Sequence, residues 1–283
     1  MIRLAKFIAQ AGVASRRGAE ALIKGGEVRV NGKVVREPGT LVDPEEDRVQ
    51  VENRELSRPF SPIYILMNKP RGVVTTLKDP QGRTTVRDLL KGIHRRVFPV
   101  GRLDYHTEGV LLLTNDGELA QRLLHPRYQV ERTYQAKVKG VPSKVALERM
   151  REGIEVAPGV VFKARVRLHR VLKANSWLEF TLREGRYREV RRMCEAVGNP
   201  VLSLKRTRFG PLSIKGLPPG AYRQLTQAEL EVLYRTVRRA GQQPGIDGRE
   251  GSGDPHGPAK KRRARTSGRG QRAGRRAKPQ RPS

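Results

Sequence analysis

Between Ile63 and Ala240 the apolar residues come mainly in short, strand-length runs, a spacing that confines this stretch to an architecture built around a sheet. Ile63 to Met67, Val73 to Thr76, Val110 to Thr114, Thr133 to Val138, Val160 to Leu172 and Trp177 to Leu182 read as strands from their β-branched and aromatic content. Glu118 to Leu124, Lys144 to Arg151, Arg188 to Val197 and Gln227 to Arg238 have helical spacing. Runs of strands with interspersed helices predict an α+β fold with helices packed on one side of the sheet. Two helix starts carry capping-box spacing, Asn115 with Glu118 and Thr226 with Glu229.

The N-terminal stretch follows another pattern. Leu4, Phe7 and Ile8 give Arg3 to Gln10 an apolar helical face, and Ser15 is placed to cap a second helix through Ala19, Leu22 and Ile23. Gly25 and Gly26 stop that helix. Glu27 to Val30 then alternates, Asn31-Gly32 is a hairpin-turn dipeptide, and Val34, Val35, Leu41, Val42, Val49 and Val51 supply strands. A module of two helices plus a small sheet is expected over residues 1–52, followed by a linker over 53–62 that holds Pro59, Ser61 and Pro62. The sheet-based domain then spans 63–240.

Charge narrows the partner. The 283-residue chain carries 58 Lys and Arg against 28 Asp and Glu, a formal charge of +30. An excess of one sign on this scale repels itself and attracts a polyanion, so nucleic acid is the expected partner. Residues 241–283 hold 12 Lys and Arg against 3 Asp and Glu, which leaves +21 on the rest. That segment has too few apolar residues to offset its ordering entropy and is expected to be a disordered basic tail. Cys194 is the only cysteine, and no Cys/His set has metal-ligand spacing, so neither an internal disulfide nor a metal site is expected. Met1 to Gln10 lacks the apolar core of a secretion signal, and no run approaches the ~20 apolar residues of a membrane span. A cytoplasmic protein follows, expected as a monomer because no heptad run is present.

Arg16 and Arg17 fall in the first turn of the second helix, where cations oppose the helix dipole. Two guanidiniums beside a helix N-terminus suit a phosphate, although solvated arginines are the simpler alternative. Arg3 to Arg17, followed by Val28-Arg29-Val30-Asn31-Gly32-Lys33-Val34-Val35, resembles the small RNA-binding module of a small-subunit ribosomal protein, bacterial tyrosyl-tRNA synthetases and several RNA-modifying enzymes. That resemblance implies binding of structured RNA and no chemistry.

One acid stands out against this basic background. Asp104 follows Val97-Phe98-Pro99-Val100 and lies between Gly101 and Gly109, glycines that permit unusual backbone angles or close approach. An aspartate so placed is commonly a turn residue. A solvated acid on an RNA-binding surface weakens binding, so Asp104 is expected to have an arginine partner or a chemical role.

Gly101-Arg102-Leu103-Asp104 with Thr107, Gly109 and Leu111-Leu112-Leu113-Thr114 resembles the signature of pseudouridine synthases acting on ribosomal RNA. Three further segments fit in order: Asn68-Lys69-Pro70-Arg71-Gly72, Glu131-Arg132-Thr133-Tyr134, and Glu184 to Met193. Arg206-Thr207-Arg208-Phe209-Gly210 and Lys215 to Gly220 point toward the large-subunit branch. The resemblance implies a mixed, largely antiparallel catalytic sheet and a reaction that detaches uracil from its ribose, turns it, and rejoins it through carbon, with no cofactor or metal.

By that resemblance Asp104 is the catalytic carboxylate, Tyr134 stacks on the flipped uracil and takes part in proton abstraction, and Arg191 is the basic residue that keeps the acid ionised. Arg102 fills the gap left by the extruded base, and Leu204 forms an apolar platform. Lys69, Arg186, Arg188 and Arg192, with Arg16 and Arg17, are expected RNA contacts. From residue pattern alone Tyr134 is by default a strand aromatic packing on the core, and an ordinary core strand explains Leu204 equally well. His106 and His125 read as structural or phosphate-contacting, and Cys194 as a buried small side chain. The expected partner is ribosomal RNA, of the large subunit or its assembly intermediates. A small-subunit synthase and a non-catalytic ribosome-assembly protein are the alternatives.

Overall fold

The computed structural model describes residues 1–56 and 61–242. The expected basic tail, from residue 243 on, and most of the expected linker lie outside the described residues. No helix among the described residues is long and apolar enough to cross a membrane.

The N-terminal module comprises β1 (Ile2–Arg3), α1 (Leu4–Gln10), α2 (Arg16–Gly25), β2 (Val28–Val30), β3 (Lys33–Val35), β4 (Leu41–Val42), β5 (Val49–Val51) and β6 (Arg54–Glu55). Ser15 caps α2 as expected, its Oγ accepting from Gly18 N at 3.0 Å, and Gly26 ends the helix in the left-handed region. Asn31 and Gly32 both take positive φ, the paired geometry that a two-residue hairpin requires. Leu4, Phe7, Ile8, Ile23, Val28 and Val51 close a core of their own. The linker begins later than expected. Glu52 and Asn53 also adopt positive φ, so Arg54–Glu55 folds back onto β5 and Leu56 packs on this core.

The second region is α+β. Its elements are β7 (Tyr64–Lys69), β8 (Phe98–Pro99), β9 (Thr107–Thr114), α3 (Gly117–Leu124), β10 (Arg132–Lys139), α4 (Lys144–Glu152), β11 (Ile154–Ala157), β12 (Val160–Phe162), β13 (Arg165–Val171), β14 (Asn175–Leu182), α5 (Glu189–Ala196), β15 (Val201–Phe209), β16 (Leu212–Ser213), β17 (Tyr222–Gln224) and α6 (Gln227–Gln242). Nine strands form one mixed sheet in the order β13-β14-β10-β15-β9-β7-β17, with β16 on β15 and β8 on β9. Its pairs are antiparallel except β15 with β9.

Helices pack on both sides of the sheet, not on one. On one face Ala136, Leu178, Phe180 and Leu204 meet Leu147 and Met150 of α4 and Met193 and Cys194 of α5. Leu111 and Leu113 continue that face against Val73, Val86 and Leu103. On the other, Val110, Leu112 and Phe209 meet Leu119 and Leu123 of α3 and Leu233 and Val237 of α6.

Three local expectations are corrected. Val73 to Thr76 makes a single bridge, Val74 to Thr85, because Val73 is taken into the core and the Thr75 hydroxyl is used elsewhere. Val160 to Leu172 is two strands, parted where Ala164 N donates to Met150 O. Asp116, not Asn115, caps α3: its Oδ1 accepts from Glu118 N and Leu119 N, while Asn115 Oδ1 accepts from Ile63 N at 2.8 Å. The Thr226–Glu229 box forms in both directions, at 2.9 and 3.2 Å.

Candidate active site

Asp104 stands on the loop between β8 and β9, and that loop is tied down at three successive residues. Leu103 N donates to Thr75 Oγ1 at 3.2 Å, the same hydroxyl donates to Leu103 O at 2.7 Å, and the Leu103 side chain is buried. Asp104 O accepts from Thr107 N at 3.0 Å and from Lys69 Nζ at 3.3 Å. Tyr105 O accepts from Gly72 N at 2.9 Å. A loop held this way fixes where its carboxylate points without using the carboxylate itself.

Lys69 is a correction. It was expected to meet RNA, yet it is 0% exposed and its ammonium also donates to Pro70 O and Thr107 O, both at 2.9 Å. Its role is to hold carbonyls of the Asp104 loop. Burial pushes its pKa down to about 8, against the pull of Asp104 and Glu108.

Two arginines of the α5 N-terminus approach the same oxygen of the acid, Asp104 Oδ2. Arg191 is 9% exposed, with Nε 3.7 Å from Asp104 Oδ2 and Nη2 donating to Thr107 Oγ1 at 3.3 Å. Burial and then the charge of Arg188 lower its pKa, Asp104 opposing, but a guanidinium stays charged. Arg191 Nε has no hydrogen-bond partner among the described residues, so the pair has room to tighten around a substrate. Arg188 is exposed, with Nη1 4.0 Å from Asp104 Oδ2. It occupies the N-cap of α5 at φ 49°, a conformation costing about 1 kcal/mol or more for a residue with a Cβ.

The Asp104 carboxylate, 37% exposed, opens into a cavity of about 310 Å³. Tyr134 and Leu204 line it from adjacent strands, together with Arg102, Arg186 and Arg188. Arg191 lies behind Asp104 and not in the cavity wall, and Arg192 sits over the Phe162 ring at 5.0 Å, also outside it. Arg16 and Arg17 are exposed on α2. His125 is structural, its Nδ1 accepting from Arg127 N at 3.2 Å, and His106 packs edge-on against Tyr105. Cys194 is fully buried, and burial pushes its thiol up to about 12.

Sequence reading missed Arg132, Arg206 and Glu189, which line the same cavity. Strand parity was the available signal: Arg132 lies two residues from Tyr134 and Arg206 two from Leu204, each pair on one strand. Arg132 and Arg206, 6% and 2% exposed, flank the Phe209 ring and are held by carbonyls, Arg206 Nε donating to Val110 O at 2.8 Å. Glu189 accepts from Arg186 N at 3.1 Å, and burial pushes its pKa up to about 7. Gly109 was legible as a special position. At φ 113°, a Cβ there would stand 2.1 Å from Arg206 O, so only glycine lets β9 and β15 pair beside the site.

This cavity carries an acid on a rigid loop, an aromatic and an apolar side chain across from it, and a rim of arginines. Residues 63–196, which include Asp104, Tyr134 and Arg191, match the model of the RNA pseudouridylate synthase family, and residues 2–49 match the S4 domain. Ribosomal large subunit pseudouridine synthase B of Bacillus subtilis is 47% identical over 235 residues, covering 82% of this chain and 96% of that protein. This chain belongs to the RNA pseudouridine synthases.

An uncharacterized RNA pseudouridine synthase of Aquifex aeolicus is likewise 47% identical over 237 residues, 83% of this chain and 95% of the relative. A pseudouridylate synthase crystal structure superposes with a TM-score of 0.58 at 30% identity, covering 82% of this chain and all of the other. A pseudouridine synthase exchanges the bond from ribose C1′ to N1 for one to C5, and the C5 proton is replaced by one on N1. No group is gained or lost, so the site needs to hold the sugar, release and turn the base, and relay one proton. An acid paired with arginines, a stacking surface and nearby donors supply those functions.

Proposed function

We propose that this pseudouridine synthase modifies uridine in large-subunit ribosomal RNA and that Asp104 is its catalytic carboxylate. The observation that carries the second point is the pinned Asp104 loop, which aims the carboxylate into the cavity with Arg188 and Arg191 within 4.0 Å. Asp104 attacks or electrostatically steadies the ribose of a flipped-out uridine, while Tyr134 and Leu204 flank the detached base and Arg191 pairs with the acid. Arg186 and Arg188, which line the cavity, contact the neighbouring phosphates, and Arg102 takes the place the base leaves. The large-subunit target is supported by the name of the Bacillus subtilis relative and its coverage of nearly its whole length.

Asp104→Asn keeps the size of the side chain and the backbone contacts of its loop and removes its charge. It is expected to abolish pseudouridine formation on large-subunit RNA while RNA affinity stays within about tenfold. Unchanged turnover rules out this role. Mapping pseudouridines in both ribosomal RNAs from cells lacking the protein decides between subunits: a lost position in the small subunit alone overturns the target.

A further inference from the structure

The nine-stranded sheet is covered unevenly. Where β7 and β9 run, both faces are packed, Leu111 and Leu113 on one side and Val110 and Leu112 on the other. Across β13, β14, β10 and the first part of β15, before Phe209, only the face toward α4 and α5 is buried. Along β14 the burial alternates strictly, with Ser176, Leu178, Phe180 and Leu182 buried and Trp177, Glu179 and Thr181 partly exposed. Helices α3 and α6 reach only as far as Phe209 at the end of β15, so beyond it the opposite face of β13, β14 and β10 and the start of β15 is open among the described residues.

Register sets what that open face displays. Trp177 lies between Lys137 of β10 and Arg170 of β13, and Lys205 of β15 lies beside Gln135 in the next row. Arg165 and Arg167 continue the edge and are 72% and 67% exposed. The acids of the face are partly neutralised: Glu179 is bound by Arg167 at 2.7 Å, and Glu131 is met by Arg183 at 3.4 Å and Arg165 at 3.9 Å. Glu108 pairs in register with Lys205. Trp177 is the only tryptophan of the chain. A partly exposed indole is poorly placed on a solvent face unless something covers it, and a sheet that presents an aromatic ring among cations is suited to stacking an unpaired base while the cations take its phosphates.

We propose that this open face is a second RNA-binding surface, on which a single-stranded segment stacks a base on Trp177 and places phosphates against Lys137, Lys205 and Arg170. It lies on the opposite side of the sheet from Tyr134 and Leu204, so an RNA that presents its uridine to Asp104 reaches it only by wrapping the β13 edge or through a separate strand. The surface adds grip and substrate selection without touching the chemistry.

The lone tryptophan makes the test local. Titrating the full chain with a fluorescein-labelled oligouridylate of about twelve nucleotides, Trp177 emission is expected to be quenched with the same midpoint as the rise in RNA anisotropy. Both midpoints shift to weaker binding with added salt. Replacing Lys137→Glu and Lys205→Glu together, both on the solvent face, is expected to weaken that midpoint by about tenfold or more while turnover of a short stem-loop substrate is unchanged. Anisotropy rising without quenching places the RNA elsewhere and overturns the proposal. So does quenching whose midpoint survives the double substitution, or emission that depends on protein concentration alone, which assigns the face to a second copy of the chain.

Discussion

Two helix N-termini in this molecule carry arginine pairs, and they are built in opposite ways. At α2 the helix is capped by Ser15, and Arg16 and Arg17 extend into solvent. At α5 no side chain caps the helix, Arg188 is held at positive φ, and Arg191 is buried against an acid. The first arrangement costs little and leaves the cations mobile, as suits contacts with many phosphates. The second gives up stability through backbone strain, a buried guanidinium and a buried glutamate, and in return fixes one carboxylate. Local strain gathered at one element while an equivalent element lacks it marks where geometry matters.

Substitutions at the two ends separate these roles. The largest effect is expected from Arg191→Met, which removes the buried partner of Asp104 and is predicted to lower kcat by about a hundredfold or more, with KM changed far less; single-turnover kinetics measure it. Lys69→Met comes next. It removes the ammonium donated to Pro70 O and Thr107 O and leaves Asp104 O with Thr107 N alone, and is expected to destabilise the fold by about 2–4 kcal/mol in urea unfolding. A loss below about half a kcal/mol means the Asp104 loop is held by Thr75 and Gly72 alone.

Glu189 gives a pH signature. Its folded pKa, about 7, lies above its ordinary value of 4.5, so the folded chain holds more protons across that window and stability falls as pH rises from 4.5 through 7. Glu189→Gln is expected to flatten that slope and to raise stability at pH 8 by about 2 kcal/mol, as read from denaturation midpoints across the pH range. A slope that persists in the variant removes Glu189 as its source. The smallest effects belong to α2. Arg16→Ala and Arg17→Ala are each predicted to weaken RNA binding by about 1 kcal/mol or less and to reduce the salt slope by about one, with kcat unchanged. A loss of kcat there erases the contrast between the two helix ends.

The sequence was most legible where local chemistry decides structure. Ser15, Gly26, Asn31-Gly32 and Thr226 with Glu229 act through neighbours a few residues away, and each does what its type predicts. Asn115 and Asp116 compete for one cap, and the choice went to Asp116 because Asn115 is drawn off by Ile63, distant in the chain. Lys69 was misread for a similar reason: nothing local shows that three carbonyls will surround it. Asp104, Tyr134 and Leu204 were readable as a set only through resemblance, since their shared cavity is a product of strand order. Arg132, Arg206 and Glu189 were within reach of parity and adjacency, yet charged types on strands and helices are ordinarily assigned to solvent.

The parallel pairing of β9 with β15 also sets an order of events. Thr107 and Leu204 are neighbours in the sheet though α3, β10, α4, the two hairpins and α5 separate them in the chain. Asp104 is therefore synthesised long before Arg191 and the strand bearing Leu204, and contacts of such sequence separation form late in folding. A nascent or partly folded chain carries the acid without its companions. Only when β15 joins β9 do the acid, Arg191 and Leu204 share one site, so chemistry waits on completion of the sheet.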